Sequence, residues 1–235
     1  MGLNNILISD NAGAVRSAFI NNTPNKNTVT NLKVNSLPEA TNLSHLFNNM
    51  YNLQEVNELN IPETVNISYI FNNCNNLISI SNFNTSNVIN MRSMFGLCYN
   101  LTNIPNFNTS KVKSMSNMFR QCYNLVNIPS FNTSNVTTMY EMFSSCYNLV
   151  SIPKFNMNNI TNIINMFNRC NNLSSDSYAN IANMLPLANN LTNQYLSNIG
   201  LNVNNFTVSQ LQILNNKGYI DAIFDAQTYY EIEYD

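Results

Sequence analysis

Charged residues make up only 9% of this 235-residue chain, and their formal balance is -2 at neutral pH with a pI near 5.3. Without a basic excess, a long basic run or a glycine-rich phosphate loop, the chain offers no general attraction to nucleic acid. Nowhere do 18 consecutive apolar residues occur, so no membrane-spanning helix is expected. The opening Met1-Gly2-Leu3-Asn4-Asn5-Ile6-Leu7 lacks a charged segment followed by a sustained apolar stretch, and no export signal is read there. Histidine is represented by His45 alone, to which no Ser, Cys or carboxylate can be assigned as a triad partner. Glu55, Glu58 and Glu63 cluster, but their spacing suits a solvated rim as well as an acid/base pair. No catalytic residue, metal ligand or cofactor is expected, and the chain reads as non-enzymatic.

What replaces charge is asparagine, which fills about a fifth of the sequence, far above ordinary usage. Such a composition can mark a disordered tract, yet the apolar residues here recur at fixed positions. Phe47, Phe71, Phe95, Phe119, Phe143 and Phe167 are spaced by 24. Three residues after each stands Met50, Cys74, Cys98, Cys122, Cys146 or Cys170, and three further on Leu53, Leu77, Leu101, Leu125, Leu149 or Leu173. Val56, Ile80, Ile104, Ile128 and Ile152 continue the register, followed by Leu59, Phe83, Phe107, Phe131 and Phe155; Asp176 breaks it. A sustained period of this length means an array of stacked coils, because a single coil cannot bury its own apolar face.

Within one copy, Val112, Met115, Met118, Phe119 and Cys122 fall at steps of three and four, which predicts a helix of about three turns. Thr109 and Ser110 are its candidate caps. Leu125 to Ile128, closed by Pro129, predicts a brief strand. The expected fold class is therefore an α/β solenoid of six 24-residue coils, each a short strand plus a helix, between an N-terminal cap and a helical C-terminal cap.

Asn52, Asn76, Asn100, Asn124, Asn148 and Asn172 precede each Leu in register and read as a buried ladder of amides satisfying backbone groups. The five cysteines stand 24 apart, too far for paired zinc ligands, and Met50 takes the same place in the first copy. That position asks for a soft apolar side chain in the core. Stacked thiols on neighbouring coils leave the redox compartment open.

The string Phe131-Asn-Thr-Ser-Asn-Val-Thr-Thr-Met-Tyr-Glu-Met-Phe-Ser-Ser-Cys-Tyr-Asn-Leu149, repeated in variants, resembles the BspA-like leucine-rich-repeat surface proteins with Treponema-type repeats. The resemblance covers roughly residues 40 to 173. It implies a leucine-rich-repeat fold and an adhesin or surface antigen; similar repeats also occur in phage and prophage tail-region proteins. No lipobox or wall-anchoring tail is visible. The segment after the repeats resembles the phage-associated members, so the resemblance implies a tail-associated virion component first and a cell-surface adhesin second. The implied partners are a protein or glycan on a bacterial surface, neighbouring virion proteins, or further copies of the chain.

Residues 1–38 read as an N-terminal cap and a degenerate coil carrying Leu32 and Val34, 39–174 as the repeat array, and 175–235 as the helical cap with an acidic, tyrosine-rich tail. Asp176 is the expected cap of a helix through Tyr178, Ile181 and Leu185 to Pro186, and Thr192 of one through Tyr195, Leu196 and Ile199 before Gly200. Thr207 opens a third, ending near Lys217-Gly218.

Columns that repeat serve structure, so recognition is sought at positions that vary or form patches. Tyr51, Tyr99, Tyr123 and Tyr147 share one register, and coils stacked at about 4.8 Å would bring three consecutive rings into a strip. Arg92, Lys111, Lys113 and Arg120 follow the acids Glu39, Glu55, Glu58 and Glu63 with no opposite charge interleaved, a second candidate contact surface. The tail from Asp221 to Asp235 holds five acids and no base; its Tyr230, Ile232 and Tyr234 alternate with Glu231, Glu233 and Asp235, the pattern either of a strand added to a partner's sheet or of a solvated end.

Overall fold

A computed structural model describes residues 29–34, 41–61, 63–191 and 195–219 of the chain. The six copies form a repeat array held together by backbone hydrogen bonds that reach from one copy to the next. Around each phenylalanine the amides alternate between two uses. Leu43, His45, Phe47 and Asn49 donate to the carbonyls of Asn66, Ser68, Ile70 and Asn72 at 2.9–3.0 Å, whereas Leu46 and Asn48 close turns on Leu43 and His45. The pattern persists to the fifth copy, where Met139, Glu141, Phe143 and Ser145 donate to Asn162, Ile164, Met166 and Asn168.

These turns place twelve non-glycine residues at positive φ, two per copy. One set is His45, Tyr69, Ser93, Asn117, Glu141 and Asn165; the other is Asn49, Asn73, Leu97, Gln121, Ser145 and Arg169. A turn whose third residue is left-handed has the type II form, and it disfavours β-branched side chains. Neither set contains valine, isoleucine or threonine. The helix expected over residues 112–122 is therefore absent, and no described part of the array is helical. A helix would spend every amide on its own axis; here half of them bind the next copy. Tight turns also return side chains to the core at steps of three and four, which is why the spacing misleads.

Thr109 is not a helix cap either. Its hydroxyl donates to Asn132 O in the next copy at 2.9 Å, as Thr85 and Thr133 donate to Asn108 O and Asn156 O. Ser110 donates its N–H to Asn108 Oδ1 at 3.1 Å, and Ser86 and Ser134 do likewise to Asn84 and Asn132. Phe-Asn-Thr-Ser is thus an asparagine-closed turn followed by a threonine that staples neighbouring copies.

Strand structure is concentrated at the start. β1 (Asn31–Val34), β2 (Glu55–Leu59) and β3 (Ser79–Ile80) form a parallel sheet in that order, pairing Asn31 with Glu55 and Glu55 with Ser79. A register shift between Leu32 and Lys33 interrupts the first ladder. Ser81 still donates its N–H to Val56 O at 2.8 Å, but later copies carry Pro105, Pro129 and Pro153 there and lack that donor. The strand expected over residues 125–128 is reduced to a single bridge, Asn127 to Ser151.

Inside, Phe47 to Phe167 are fully buried, and successive rings stack at centroid distances of 5.5–5.9 Å. Each such side chain contributes about 1.5–3 kcal/mol by burial. The thiols beside them are buried and free, and each donates to the phenylalanine carbonyl of the preceding copy: Cys74 to Phe47, Cys98 to Phe71, Cys122 to Phe95, Cys146 to Phe119 and Cys170 to Phe143, at 3.0–3.2 Å. The column is apolar packing with a donor's task added. Burial, reinforced by neighbouring thiols, pushes Cys98, Cys122 and Cys146 well above the ordinary thiol value; burial pushes Cys170 up to about 12.

After the repeats come α1 (Ser175–Met184), α2 (Leu196–Ile199) and α3 (Val208–Asn216). Ser174, not Asp176, caps α1 by accepting from Ser177 N, while Asp176 sits in the first turn. Thr207 and Gln210 form a reciprocal capping box on α3. Gly200 and Gly218 take positive φ just beyond α2 and α3. Lys217 reaches back to α1, its ammonium donating to Ala182 O, Asn183 O and Leu185 O at 2.7–2.9 Å. The last copy is met by this segment: Asn165 and Phe167 donate to Asn198 O and Ile199 O, and Ser177 Oγ bridges Val150 O and Ile152 N. The expectations for residues 1–28, Glu39, Thr192 and the acidic tail concern positions outside the described residues.

Candidate recognition surface

The tyrosine register becomes a physical strip over three copies. Tyr99 and Tyr123 stack at 4.8 Å with planes 6° apart, and Tyr123 and Tyr147 at 5.0 Å and 16°. Tyr51 stands apart, because Asn75 occupies the intervening copy. Burial between its neighbours raises the Tyr123 hydroxyl's pKa first, and the flanking Tyr99 and Tyr147 add to it; Arg120 and Arg169 pull the other way. The strip therefore has cations at its side.

Beside it, the amide ladder runs from Asn124 to Asn100 at 3.2 Å, Asn100 to Asn76 at 3.2 Å and Asn76 to Asn52 at 3.5 Å. The expected burial of that column is not found: Asn52, Asn124, Asn148 and Asn172 are exposed and the other two half-buried. These amides bind one another at the surface, so the ladder satisfies itself. Two further ladders, Asn72 to Asn48 and Asn73 to Asn49, occupy the phenylalanine turns.

The basic residues do not act as one patch. Arg92 donates from Nε to the Tyr69 hydroxyl at 3.0 Å, and Arg120 is paired through Nε with Glu141 at 2.9 Å. Tyr140 donates its hydroxyl to the other Glu141 oxygen at 2.8 Å, which raises the Tyr140 pKa. Lys111 bonds Asn87 Oδ1 at 2.9 Å, and exposed Lys113 uses its backbone N–H on Ile89 O. One residue of each charged group gains an ion-pair partner from outside the two groups: Arg120 meets Glu141, and Glu58 meets Lys33 at 2.7 Å. His45 lies half-buried in the first turn, stacked on Tyr69 at 4.5 Å.

Arg92 and Arg120 nevertheless share a hollow of about 280 Å³ with Tyr69, Asn72, Gly96 and Asn117. Sequence reading misses it, because its members come from different columns and copies. The signal available is Gly96, which stands where other copies carry Asn48, Asn72, Arg120, Ser144 and Asn168. Also missed is an exposed apolar column, Ile78, Val126 and Val150, on the strand side. Among the described residues no cluster of three or more metal-ligating side chains occurs, and no helix is long and apolar enough to cross a membrane.

The sequence model of one family, described as Mycoplasma protein of unknown function, DUF285, matches residues 15–125, 41–150 and 97–198. The family is one of repeats related to BspA-like surface proteins. No curated protein and no solved structure is detectably similar to the chain.

Proposed function

Since the chain belongs to the DUF285 family, we propose that it is a non-enzymatic recognition protein whose contact edge is the stack of Tyr99, Tyr123 and Tyr147. In this reading the six copies are a curved leucine-rich-repeat solenoid of the BspA-like kind. The observation that carries the proposal is the strip itself: three near-parallel rings at 4.8–5.0 Å on one edge, Tyr147 exposed and Tyr99 and Tyr123 half-buried. Tyrosine combines a flat apolar face with a hydroxyl that bonds water or a partner, so it suits glycan and protein surfaces and loses little side-chain entropy on contact.

The family's kinship with surface proteins supports a cell-surface adhesin or antigen facing a protein or glycan. A tail-associated virion component is the second reading, carried by the resemblance of the segment after the repeats. The family match adds no phage-encoded membership to it.

The test is binding of the purified chain to intact bacterial and animal cells, comparing wild type with the combined Tyr99→Ser, Tyr123→Ser, Tyr147→Ser variant at equal unfolding midpoint. Selective binding lost in the variant supports the tyrosine edge. Binding that survives unchanged would sink it, and binding to no cell would move the search to proteins of a common particle.

A further inference from the structure

The geometry points to a second recognition element next to the strip: the hollow at Gly96 binds a compact oxyanion, a carboxylate or phosphate group carried on a single sugar-sized unit. The inference rests on the recognition reading and names a class of ligand for it. Three independent features build the hollow.

The first is space. Asn72 donates to Asn48 Oδ1 at 3.2 Å, and the ladder stops at Gly96 because that residue has no side chain to continue it. A Cβ placed on Gly96 would stand 2.7 Å from Asn72 Oδ1, so the missing side chain is what keeps the depression open. At about 280 Å³ the volume lies near the lower end of ligand pockets and suits one ring bearing one charged group.

The second is charge. Two guanidinium groups line the depression, and among the described residues the only carboxylate paired with either is Glu141, which binds Arg120. Arg92 has no acidic partner among the described residues. In a chain with 9% charged residues, two arginines in one hollow with a single paired carboxylate among the described residues leave a local excess of positive charge. The third is anchoring. Tyr69 accepts from the Nε of Arg92, and Glu141 binds the Nε of Arg120, so both guanidinium groups are held through that nitrogen beside the hollow. Arginine donors in parallel pairs match the geometry of a carboxylate or phosphate.

The full-length chain is titrated with glucuronate, glucose 1-phosphate and glucose, reading heat and the amide signals of Gly96 and Asn117. At least one acid binds with about tenfold higher affinity than glucose, and binding weakens as salt rises. Gly96→Asn, which restores the residue of the preceding copies, lowers that affinity about tenfold or more by filling the space; Arg92→Gln does the same by removing charge. A preference for one acid identifies carboxylate or phosphate as the source. Equal binding of glucose, no binding of either acid, or indifference to both substitutions would overturn the inference. Should Gly96→Asn impair folding, Arg92→Gln on an exposed side chain still decides. The triple tyrosine variant keeps this small-ligand binding, so failure of the hollow and failure of the strip are read separately.

Discussion

The array and the segment that follows it solve the same problem of unpaired backbone groups by opposite means. In residues 41–173 a side chain does one job many times: thiols to phenylalanine carbonyls, threonines to asparagine carbonyls, asparagines closing turns. In residues 174–219 the solutions are mostly individual, as with the Ser174 cap, the Thr207–Gln210 box and the Lys217 ammonium over the end of α1. Repetition distributes risk over six copies, whereas the helical segment depends on single residues. The asparagine excess follows from this difference, because every copy uses that amide at several stations.

The sharpest way to break the comparison is at the junction. A Cβ on Gly200 would stand 2.3 Å from Asn168 N and 2.4 Å from Asn168 Cα, at a φ of +86°. Gly200→Ala is expected to cost about 3 kcal/mol or more, combining left-handed strain with overpacking against backbone. Chemical denaturation should show the loss; a cost under about 1 kcal/mol would mean that the segment detaches freely.

Lys217→Met removes the charged donor from three carbonyls and is expected to cost about 2 kcal/mol. Hydrogen exchange should accelerate in α1 and α3 while amides around Phe95 and Phe119 stay protected. Uniform acceleration would show one cooperative unit rather than two.

The array itself is probed by alkali. The Cys170 pKa lies above its unfolded value near 9, at about 12, so the native state holds its proton longer than the unfolded chain. Its contribution is fully present below about pH 9 and is lost between pH 9 and about 12, with roughly 1.4 kcal/mol gone by pH 10 from that thiol alone. Cys98, Cys122 and Cys146 act in the same sense. Unfolding midpoints should fall across that window, and a thiol reagent should react no faster than the chain opens. Least of all, Asn124→Ala removes one exposed amide bond and should cost at most about 0.5 kcal/mol by thermal melting.

How much of this the sequence displays also divides along the same line. The period and the Phe, Cys and Leu columns are plain in the residues, and Thr207, Gly200 and Gly218 mark the ends of their helices. The path inside a copy is not plain, since Met115, Met118, Phe119 and Cys122 keep a helical spacing while Asn117 and Gln121 turn left-handed between them. The missing β-branched residues at those two places were the only trace. For the surface, a shared register suffices to stack Tyr99 on Tyr123. The hollow escapes because Arg92, Gly96 and Arg120 are departures from the period, which no search for repetition finds.

The alternation of amides gives the array a parity. From four residues before each phenylalanine to three after it, an N–H at an even step faces the next copy and one at an odd step faces its own turn. Removing or inserting 24 residues within the array rejoins donors to acceptors as before, whereas a change of one residue swaps their roles at the join. A change of length in whole units therefore keeps every join of the array intact. Each unit added with a tyrosine in the Tyr123 column would lengthen the aromatic edge by one ring, so the reach of the surface can change while its chemistry stays constant.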